Sequence, residues 1–165
     1  MSTSRIVVVG AGQAGASLVA RLRGGGHAGP ITMIGEEADI PYERPPLSKG
    51  YLLGARDRTR LYLRASSFYA ERNIEVLTGT RVTGIDPTAR TVTTSDRTLA
   101  YDELVLTTGA HARRLPSAIG GALSNVFVMR NLADVDAMAS AFVEGARLLI
   151  VGAGFIGLEA AASAR

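Results

Sequence analysis

The 165-residue chain contains no cysteine, no tryptophan and a single lysine, Lys49. Without cysteine, these residues hold no disulfide, no thiolate metal site and no redox thiol. The only histidines, His27 and His111, are too few to favour a metal site, and we predict none. The net charge of +3 comes without the dense basic clusters typical of nucleic-acid-binding proteins, so no nucleic-acid partner is expected.

Long hydrophobic runs are also missing from the chain. The residues after Met1 lead directly into a short apolar stretch that glycines interrupt, which predicts neither a signal peptide nor a membrane span. A cytoplasmic location is therefore expected. The remaining composition, 47% hydrophobic and 20% charged, is typical of a folded α/β protein.

One glycine pattern occurs twice, each time as a hydrophobic strand, Gly-Ala-Gly-x-x-Gly and a helix. The first copy is strand 6–9 followed by Gly10–Gly15, and the second is strand 148–151 followed by Gly152–Gly157. In such a loop the first glycine permits a tight turn, the second lets the backbone approach a pyrophosphate, and the third allows close helix packing. Two copies predict two dinucleotides, with a ligand-free glycine turn as the alternative for each. The candidate cofactor-binding residues are Gly10, Gly12, Gln13, Ala14 and Gly15, then Gly152, Gly154, Phe155, Ile156 and Gly157.

Hydrophobic periodicity predicts a β-α-β unit at the start of the chain and a small β-meander later. The strand 31–34 ends at Glu36 and Glu37, where a carboxylate can accept hydrogen bonds from ribose hydroxyls. The other predicted elements of this part are helices 14–23 and 66–72 and strands 74–77, 81–85, 91–94, 98–101 and 104–107.

The composition shifts after Gly109, and we place a domain boundary near 109–115. Residues 111–121 are predicted to form a linker, followed by a strand at 126–129, a helix at 134–144 and the strand at 148–151. Glu159, just inside the helix after the second glycine loop, is a charge beside a loop that we expect to be buried. A solvated helix position is the alternative for this residue.

The most specific string in the chain lies in a long loop, 38–60, that several prolines interrupt. It reads Pro-Tyr-Glu-Arg-Pro-Pro-Leu-Ser-Lys and begins at Pro41. A stiff loop of this kind brings Arg44 and Lys49 toward the carboxyl end of the sheet, where α/β folds bind ligands. A fixed cation there stabilises negative charge on a redox ring. A rigid surface loop is the alternative.

Taken together, these motifs resemble the FAD-dependent NADH:ferredoxin reductases of oxygenase systems, which are similar to putidaredoxin reductase, rubredoxin reductases and apoptosis-inducing factor. The resemblance implies FAD contacts by Gly10–Gly15 at the pyrophosphate, Glu36 at the adenosine ribose, Arg44 and Lys49, the Val82 backbone at the adenine, Thr108, Gly109 and Arg130. Glu37, beside Glu36, is a further candidate cofactor contact. It also implies that Lys49 lies near the flavin N5 and pairs with Glu159, the two residues assigned to catalysis. Thr107 stands where the family usually has alanine.

The resemblance implies a glutathione-reductase-like α/β fold with two dinucleotide-binding domains. Residues 1–109 would form the FAD-binding part with its β-meander, and residues 110–165 the beginning of the NAD(P)-binding domain. Related disulfide reductases need a redox cysteine after the second strand, and residues 38–55 contain none. Thiol chemistry is therefore not expected at that position.

The implied activity passes electrons from NAD(P)H through FAD to a [2Fe-2S] ferredoxin that supplies a P450 or a ring-hydroxylating dioxygenase. The alternatives are another acceptor, such as rubredoxin or oxygen, an apoptosis-inducing-factor-like role, or a truncated fragment without catalysis. Because the sequence stops soon after the second glycine loop, we expect these 165 residues alone to be inactive. Neither the choice between NADH and NADPH nor the oligomeric state follows from the sequence.

Overall fold

The computed structural model describes residues 3–165, and the chain divides into two units. The first contains the residues up to Tyr42 together with Tyr62–Gly109, and the second contains Glu43–Leu61 together with Ala110–Arg165. One division lies between Gly109 and Ala110, inside the boundary region that the composition indicates. The assignment of 1–109 to FAD and of 110–165 to NAD(P) stays a prediction, and residues 43–61 group with the second unit.

The first unit contains seven strands and two α-helices among its described residues. In chain order these are β1 (Ile6–Val9), α1 (Gln13–Gly24), β2 (Ile31–Ile34), α2 (Ser66–Glu71), β3 (Ile74–Leu77), β4 (Val82–Asp86), β5 (Thr91–Thr94), β6 (Thr98–Ala100) and β7 (Glu103–Leu106). Each predicted element of this unit is present, with ends shifted by a residue or two.

The main sheet of this unit is parallel and has the strand order β3-β2-β1-β7. Ile6 of β1 lies opposite Ile31 of β2 and Glu103 of β7, and Val9 lies opposite Ile34 and Leu106. The strands are thus aligned without stagger, so that their carboxyl ends form one edge. Ligands of open α/β folds bind outside that edge.

The central strand β1 is buried on both faces. Val8 packs in a core with Val19 of α1 and Tyr69 of α2. Val7, which points the other way, packs in a second core with Val92 of the meander strand β5. Burial on both sides explains why β1 is an uninterrupted run of apolar residues rather than an alternating pattern. It also fixes the position of the glycine loop that follows.

The three-stranded antiparallel sheet β4-β5-β6 is the predicted meander. The chain leaves the first unit at Tyr42 and returns at Tyr62, where a single antiparallel bridge joins these two residues. The excursion between them is the proline-containing loop, which is less irregular than expected because it contains 3₁₀ turns at Pro45–Ser48 and Arg58–Leu61.

In the second unit the described residues form the helices α3 (Leu132–Ala139) and α4 (Phe155–Ser163). A third 3₁₀ turn lies at Ser117–Ile119, inside the predicted linker. Helix α3 begins earlier than predicted because Asn131 and Asp134 form a capping box. It ends at Ala139, so the predicted extension to 144 is wrong, and Phe142 lies beyond the helix.

Two predicted strands of the second unit, 126–129 and 148–151, are wrong. Neither segment has a ladder partner among residues 3–165, and a strand exists only where a neighbour satisfies its backbone hydrogen bonds. The second segment is apolar yet open to solvent, since Leu149 is 86% and Val151 is 68% exposed. Within the described residues, no helix has the length and apolar character needed to cross a membrane.

Candidate functional site

The first glycine loop joins β1 to α1, and two of its glycines are required by close packing. Gly10 has a φ of +116°, and a Cβ added there would lie 2.1 Å from the carbonyl oxygen of Thr107. A Cβ at Gly15 would lie 2.3 Å from the carbonyl oxygen of Gly10. A Cβ at Gly12, in contrast, would have no neighbouring atom within 4 Å. The middle glycine therefore borders open space.

This open space lies at the start of α1. Gly12 is the N-cap of the helix and no side chain caps it. The amide of Ala16 already donates to the carbonyl oxygen of Gly12 at 3.0 Å, whereas the amides of the first turn, including those of Gln13 and Ala14, have no acceptor within the helix. These amides and the helix dipole together attract an anion. The loop therefore fits the pyrophosphate of a dinucleotide.

The carboxylate of Glu36 lies at the same edge of the sheet. The preceding residue, Gly35, touches the loop so closely that an added Cβ would be 2.5 Å from Cβ of Ala11. Glu36 accepts a hydrogen bond from Arg81 Nη1 at 2.7 Å, and its side chain remains 50% exposed. An exposed acceptor beside the pyrophosphate loop suits a ribose.

Glu37, the neighbouring candidate, accepts hydrogen bonds from other residues of the protein. Its carboxylate accepts a hydrogen bond from the hydroxyl of Tyr42, which is a buried residue. Its carbonyl oxygen accepts from the Gly79 amide at 2.8 Å. Val82, the proposed adenine contact, begins β4 directly after Arg81 and is half-buried. The structure thus brings Glu36 and the start of β4 together, while the cofactor roles of Glu37 and Val82 stay predictions.

Thr107 links the end of β7 to the glycine loop. Its amide donates to the carbonyl oxygen of Val9 at 2.7 Å, and its hydroxyl donates to the carbonyl oxygen of Gly10 at 2.8 Å. An alanine at this position would lack the second bond. Thr108 and Gly109, both candidate cofactor contacts, follow immediately and therefore lie at the carboxyl edge of the sheet.

In the second unit, Lys49 and Glu159 form the expected ion pair. Lys49 ends the 3₁₀ turn Pro45–Ser48, and its Nζ lies 2.6 Å from Oε2 of Glu159 on α4. The Ser48 hydroxyl donates to the same oxygen at 2.5 Å. Hydrogen bonds from Lys49 and then from Ser48 hold the pKa of the Glu159 carboxyl below its usual range. Glu159 is thus more than a solvated helix position.

Two arginines lie beside this pair. Arg44 donates through Nη1 to the carbonyl oxygen of Arg130 at 2.7 Å. Arg130 in turn donates through Nε to the carbonyl oxygen of Ala110 at 2.9 Å, and its amide donates to Asp134 Oδ2 at 3.0 Å. Asp134 also belongs to the N-terminal cap of α3. The start of this helix therefore holds the Arg130 backbone, whose carbonyl oxygen accepts the hydrogen bond from Arg44.

These residues surround a cavity of about 270 Å³ within the second unit. It is lined by Arg44, Pro45, Leu47, Ser48, Lys49, Met129, Arg130, Ile156 and Glu159. Its volume is near the lower end for small-molecule sites, and its lining combines apolar side chains with a few charged groups, as such sites do. Three cations and one carboxylate make it suited to a ring that acquires negative charge.

The second glycine loop repeats the local geometry of the first. Gly152 has a φ of +117°, Gly154 is the uncapped N-cap of α4, and a Cβ at Gly157 would lie 2.5 Å from the carbonyl oxygen of Gly152. Of the next two candidates, Phe155 is 88% exposed and Ile156 lines the cavity. The turn and the helix are therefore formed, although residues 148–151 form no strand.

Three polar residues of the second unit make contacts that the sequence motifs do not predict. Asp136 accepts from the Tyr51 hydroxyl at 2.6 Å and from Arg58 Nη1 at 3.0 Å, which ties the proline-containing loop to α3. Ser48 and Ser163 were not singled out either. The spacing of four between Glu159 and Ser163 places both on one helix face and was a usable signal. The described residues contain no cluster of three or more potential metal ligands.

The comparisons with known proteins cover nearly the whole chain. The family model described as pyridine nucleotide-disulphide oxidoreductase matches residues 4–165. The chain is 44% identical over 158 residues to a ferredoxin–NAD(P)(+) reductase of Sphingomonas sp, covering 95% of this chain and 38% of that protein. It is 42% identical over 166 residues to putidaredoxin reductase of Pseudomonas putida, covering 99% of this chain and 39% of that protein.

Among solved structures, the covalent putidaredoxin reductase–putidaredoxin complex matches with a TM-score of 0.93 and 41% identity, over 99% of this chain and 40% of that chain. The present chain thus spans about two fifths of the proteins that it matches. The predicted α/β Rossmann-like fold of a two-domain flavoprotein reductase is confirmed. Membership implies FAD and NAD(P)H as cofactors, as expected. The chain belongs to the pyridine nucleotide-disulphide oxidoreductase family.

Proposed function

We propose that the whole protein is a reductase that passes electrons from NAD(P)H through FAD to a [2Fe-2S] ferredoxin. The observation that carries this proposal is the Lys49–Glu159 ion pair at the wall of a cavity that Arg44 and Arg130 also line. A disulfide reductase of this family would use a redox cysteine after the second strand. The loop that occupies this position, 38–55, contains none and instead supplies the fixed cations.

FAD supplies a ring that accepts a hydride and releases electrons one at a time. The residues of this chain would bind and orient it. In our proposal, the amides of Gln13 and Ala14 bind the pyrophosphate and Glu36 accepts from the ribose hydroxyls. No side chain serves as a nucleophile or general base.

The cations of the second unit would set the electrostatics of the flavin end. Arg44 and Lys49 present positive charge to the cavity, which favours a ring that gains negative charge. Glu159 pairs with the Lys49 ammonium and offsets part of the positive charge of the cavity. We assign Lys49 and Glu159 to catalysis in this electrostatic sense, and Arg130 to cofactor binding.

The relatives support a ferredoxin as the acceptor. One of them is a ferredoxin–NAD(P)(+) reductase, and the matching complex holds putidaredoxin. We therefore propose a ferredoxin that supplies a P450 or a ring-hydroxylating dioxygenase. Rubredoxin and oxygen are the competing acceptors. The cytoplasmic location stays a prediction.

The test uses the whole protein with FAD bound. NADH or NADPH is added with a [2Fe-2S] ferredoxin, with rubredoxin, or under oxygen alone, and acceptor reduction is followed by absorbance. We expect ferredoxin to be reduced fastest, and we expect Lys49→Met to slow this reduction by more than about tenfold because the fixed charge is lost. Bound FAD that neither pyridine nucleotide reduces would refute the proposal, and faster reduction of rubredoxin or oxygen would refute the assigned acceptor.

A further inference from the structure

We infer that Ser48 is a positioning residue whose hydroxyl keeps the Glu159 carboxylate on the Lys49 ammonium. The inference deepens the proposed function, on which it rests, by adding a residue that acts through Glu159. Ser48 lies inside the most specific string of the chain, directly before Lys49, yet neither the family resemblance nor the cofactor contacts assign it a task.

The ion pair alone cannot fix its own geometry. The side chains of Lys49 and Glu159 are 51% and 36% exposed, respectively. Ion pairs with this much access to water contribute little, because solvent screens them and because two long side chains lose conformational entropy. Lys49 also reaches the carbonyl oxygen of Pro45 at 3.3 Å, so its ammonium has a second acceptor within its own turn. A further constraint is therefore needed to hold the pair.

Ser48 supplies that constraint because its side chain is short and the residue is buried, with only 4% of its surface exposed. Its hydroxyl donates to Oε2 of Glu159, the same oxygen that Lys49 contacts. A buried hydroxyl without an acceptor is costly, so Glu159 cannot swing away without leaving this donor unsatisfied. The serine thus ties the position of the carboxylate to the packing of the 3₁₀ turn.

The contact between the turn and α4 is reciprocal. Ser48 donates to Glu159, and the Ser163 hydroxyl, one helical turn further along α4, donates to the carbonyl oxygen of Ser48 at 2.7 Å. Residues four apart share one helix face. Two adjacent turns of α4 therefore hold one buried residue through its side chain and its backbone. This arrangement keeps the Glu159 carboxylate beside the Lys49 ammonium.

The experiment measures how freely Lys49 reacts. The whole protein with FAD bound is treated briefly with an amine-acylating reagent, and acylation of Lys49 is followed by peptide-resolved mass spectrometry. An ammonium held on a carboxylate is shielded from the reagent. Ser48→Ala is expected to raise the initial rate of Lys49 acylation by about three- to tenfold, because one hydrogen bond to a charged acceptor is lost. Ser48→Cys, which fills a similar volume but is a weak donor, is expected to behave like Ser48→Ala.

A double-mutant cycle separates positioning from a general loss of structure. Glu159→Gln is expected to raise Lys49 acylation at least as much as Ser48→Ala, and adding Ser48→Ala to Glu159→Gln is expected to change the rate little. Ser124→Ala, at an exposed serine of the same unit, serves as the matched control and leaves the rate unchanged.

Unchanged acylation in Ser48→Ala, or full additivity with Glu159→Gln, would overturn the inference. Ser48→Cys with a wild-type rate would also overturn it, since volume rather than hydrogen bonding would then matter. The readout uses neither pyridine nucleotide nor ferredoxin. Failure of the wild-type protein to reduce ferredoxin would therefore refute the proposed function without altering this result.

Discussion

The glycines of the first loop offer a way to separate folding from cofactor binding. Gly10 and Gly12 are two residues apart, but their surroundings differ. A Cβ at Gly10 meets the Thr107 carbonyl at 2.1 Å, and the φ of +116° disfavours any side chain. A Cβ at Gly12 meets nothing within 4 Å, and its backbone is extended, with φ −94° and ψ −166°. We therefore predict opposite phenotypes for the two alanine variants.

For Gly10→Ala, positive φ costs about 1 to 2 kcal/mol and forced displacement of packed backbone about 1 to 3 kcal/mol. The free energy of unfolding should therefore fall by about 2 to 5 kcal/mol. Gly12→Ala weakens the N-cap of α1, but alanine also makes the unfolded chain less flexible, and the two effects oppose each other. The free energy of unfolding should therefore change by no more than about 0.5 kcal/mol. The methyl group would nevertheless occupy the space where a pyrophosphate approaches the backbone. Loss of one charge-assisted hydrogen bond raises the FAD dissociation constant about tenfold or more.

The assay has two arms on the whole protein. Urea unfolding of the FAD-free form gives the stability of each variant, and titration with FAD followed by flavin fluorescence gives the dissociation constant. A Gly12→Ala variant that is as unstable as Gly10→Ala, or that binds FAD as tightly as the wild type, would refute the assignment of the open space to the cofactor.

Three further predictions follow from individual contacts. Thr107→Val should lower the free energy of unfolding by about 1 kcal/mol. Valine has nearly the same volume as threonine but cannot donate the hydrogen bond that the Gly10 carbonyl oxygen accepts from the Thr107 hydroxyl. Tyr69→Phe should raise the free energy of unfolding by about 1 kcal/mol, because the buried hydroxyl has no hydrogen-bond partner among residues 3–165, and burial raises its pKa. Because Lys49 and Ser48 lower the pKa of Glu159, the stability advantage of the wild type over Glu159→Gln should be complete at neutral pH and disappear as the pH falls through that lowered pKa.

The Tyr69→Phe prediction has a matched control, and each of the other two has an outcome that would contradict it. Tyr62→Phe removes a hydroxyl that donates to Asp39 at 3.1 Å, so its stability change should have the opposite sign to that of Tyr69→Phe. Stability changes of the same sign in Tyr62→Phe and Tyr69→Phe would contradict the argument for Tyr69. An unchanged Thr107→Val variant would show that solvent satisfies the Gly10 carbonyl. An advantage over Glu159→Gln that grows as the pH falls would contradict the lowered pKa of Glu159.

The first unit was largely predictable because its signals are local. The apolar run of β1, the glycines around α1 and the alternation in the meander each specify an element within a few residues. The pairing of Lys49 with Glu159 came from the family resemblance, since no spacing rule joins residues so far apart in sequence.

The second unit was less predictable because its contacts are tertiary. The segments 126–129 and 148–151 have strand-like composition, but composition does not create the neighbour that a strand requires. The grouping of the proline-containing loop with the second unit depends on contacts such as Tyr51 with Asp136, and these are visible only in three dimensions. Ser48 was overlooked because a serine between leucine and lysine carries no pattern of its own.

The exposed apolar residues between 149 and 155, which lead into the second glycine loop, have a consequence for colloidal behaviour. Leu149, Val151 and Phe155 all face solvent, with β-branched or bulky side chains and no proline or charge between them. An unpaired segment of this kind offers both backbone hydrogen bonds and apolar surface to another molecule. Wherever these side chains stay uncovered, the segment would favour self-association that increases with protein concentration. Charged substitutions at Leu149 would then improve solubility without touching either glycine loop.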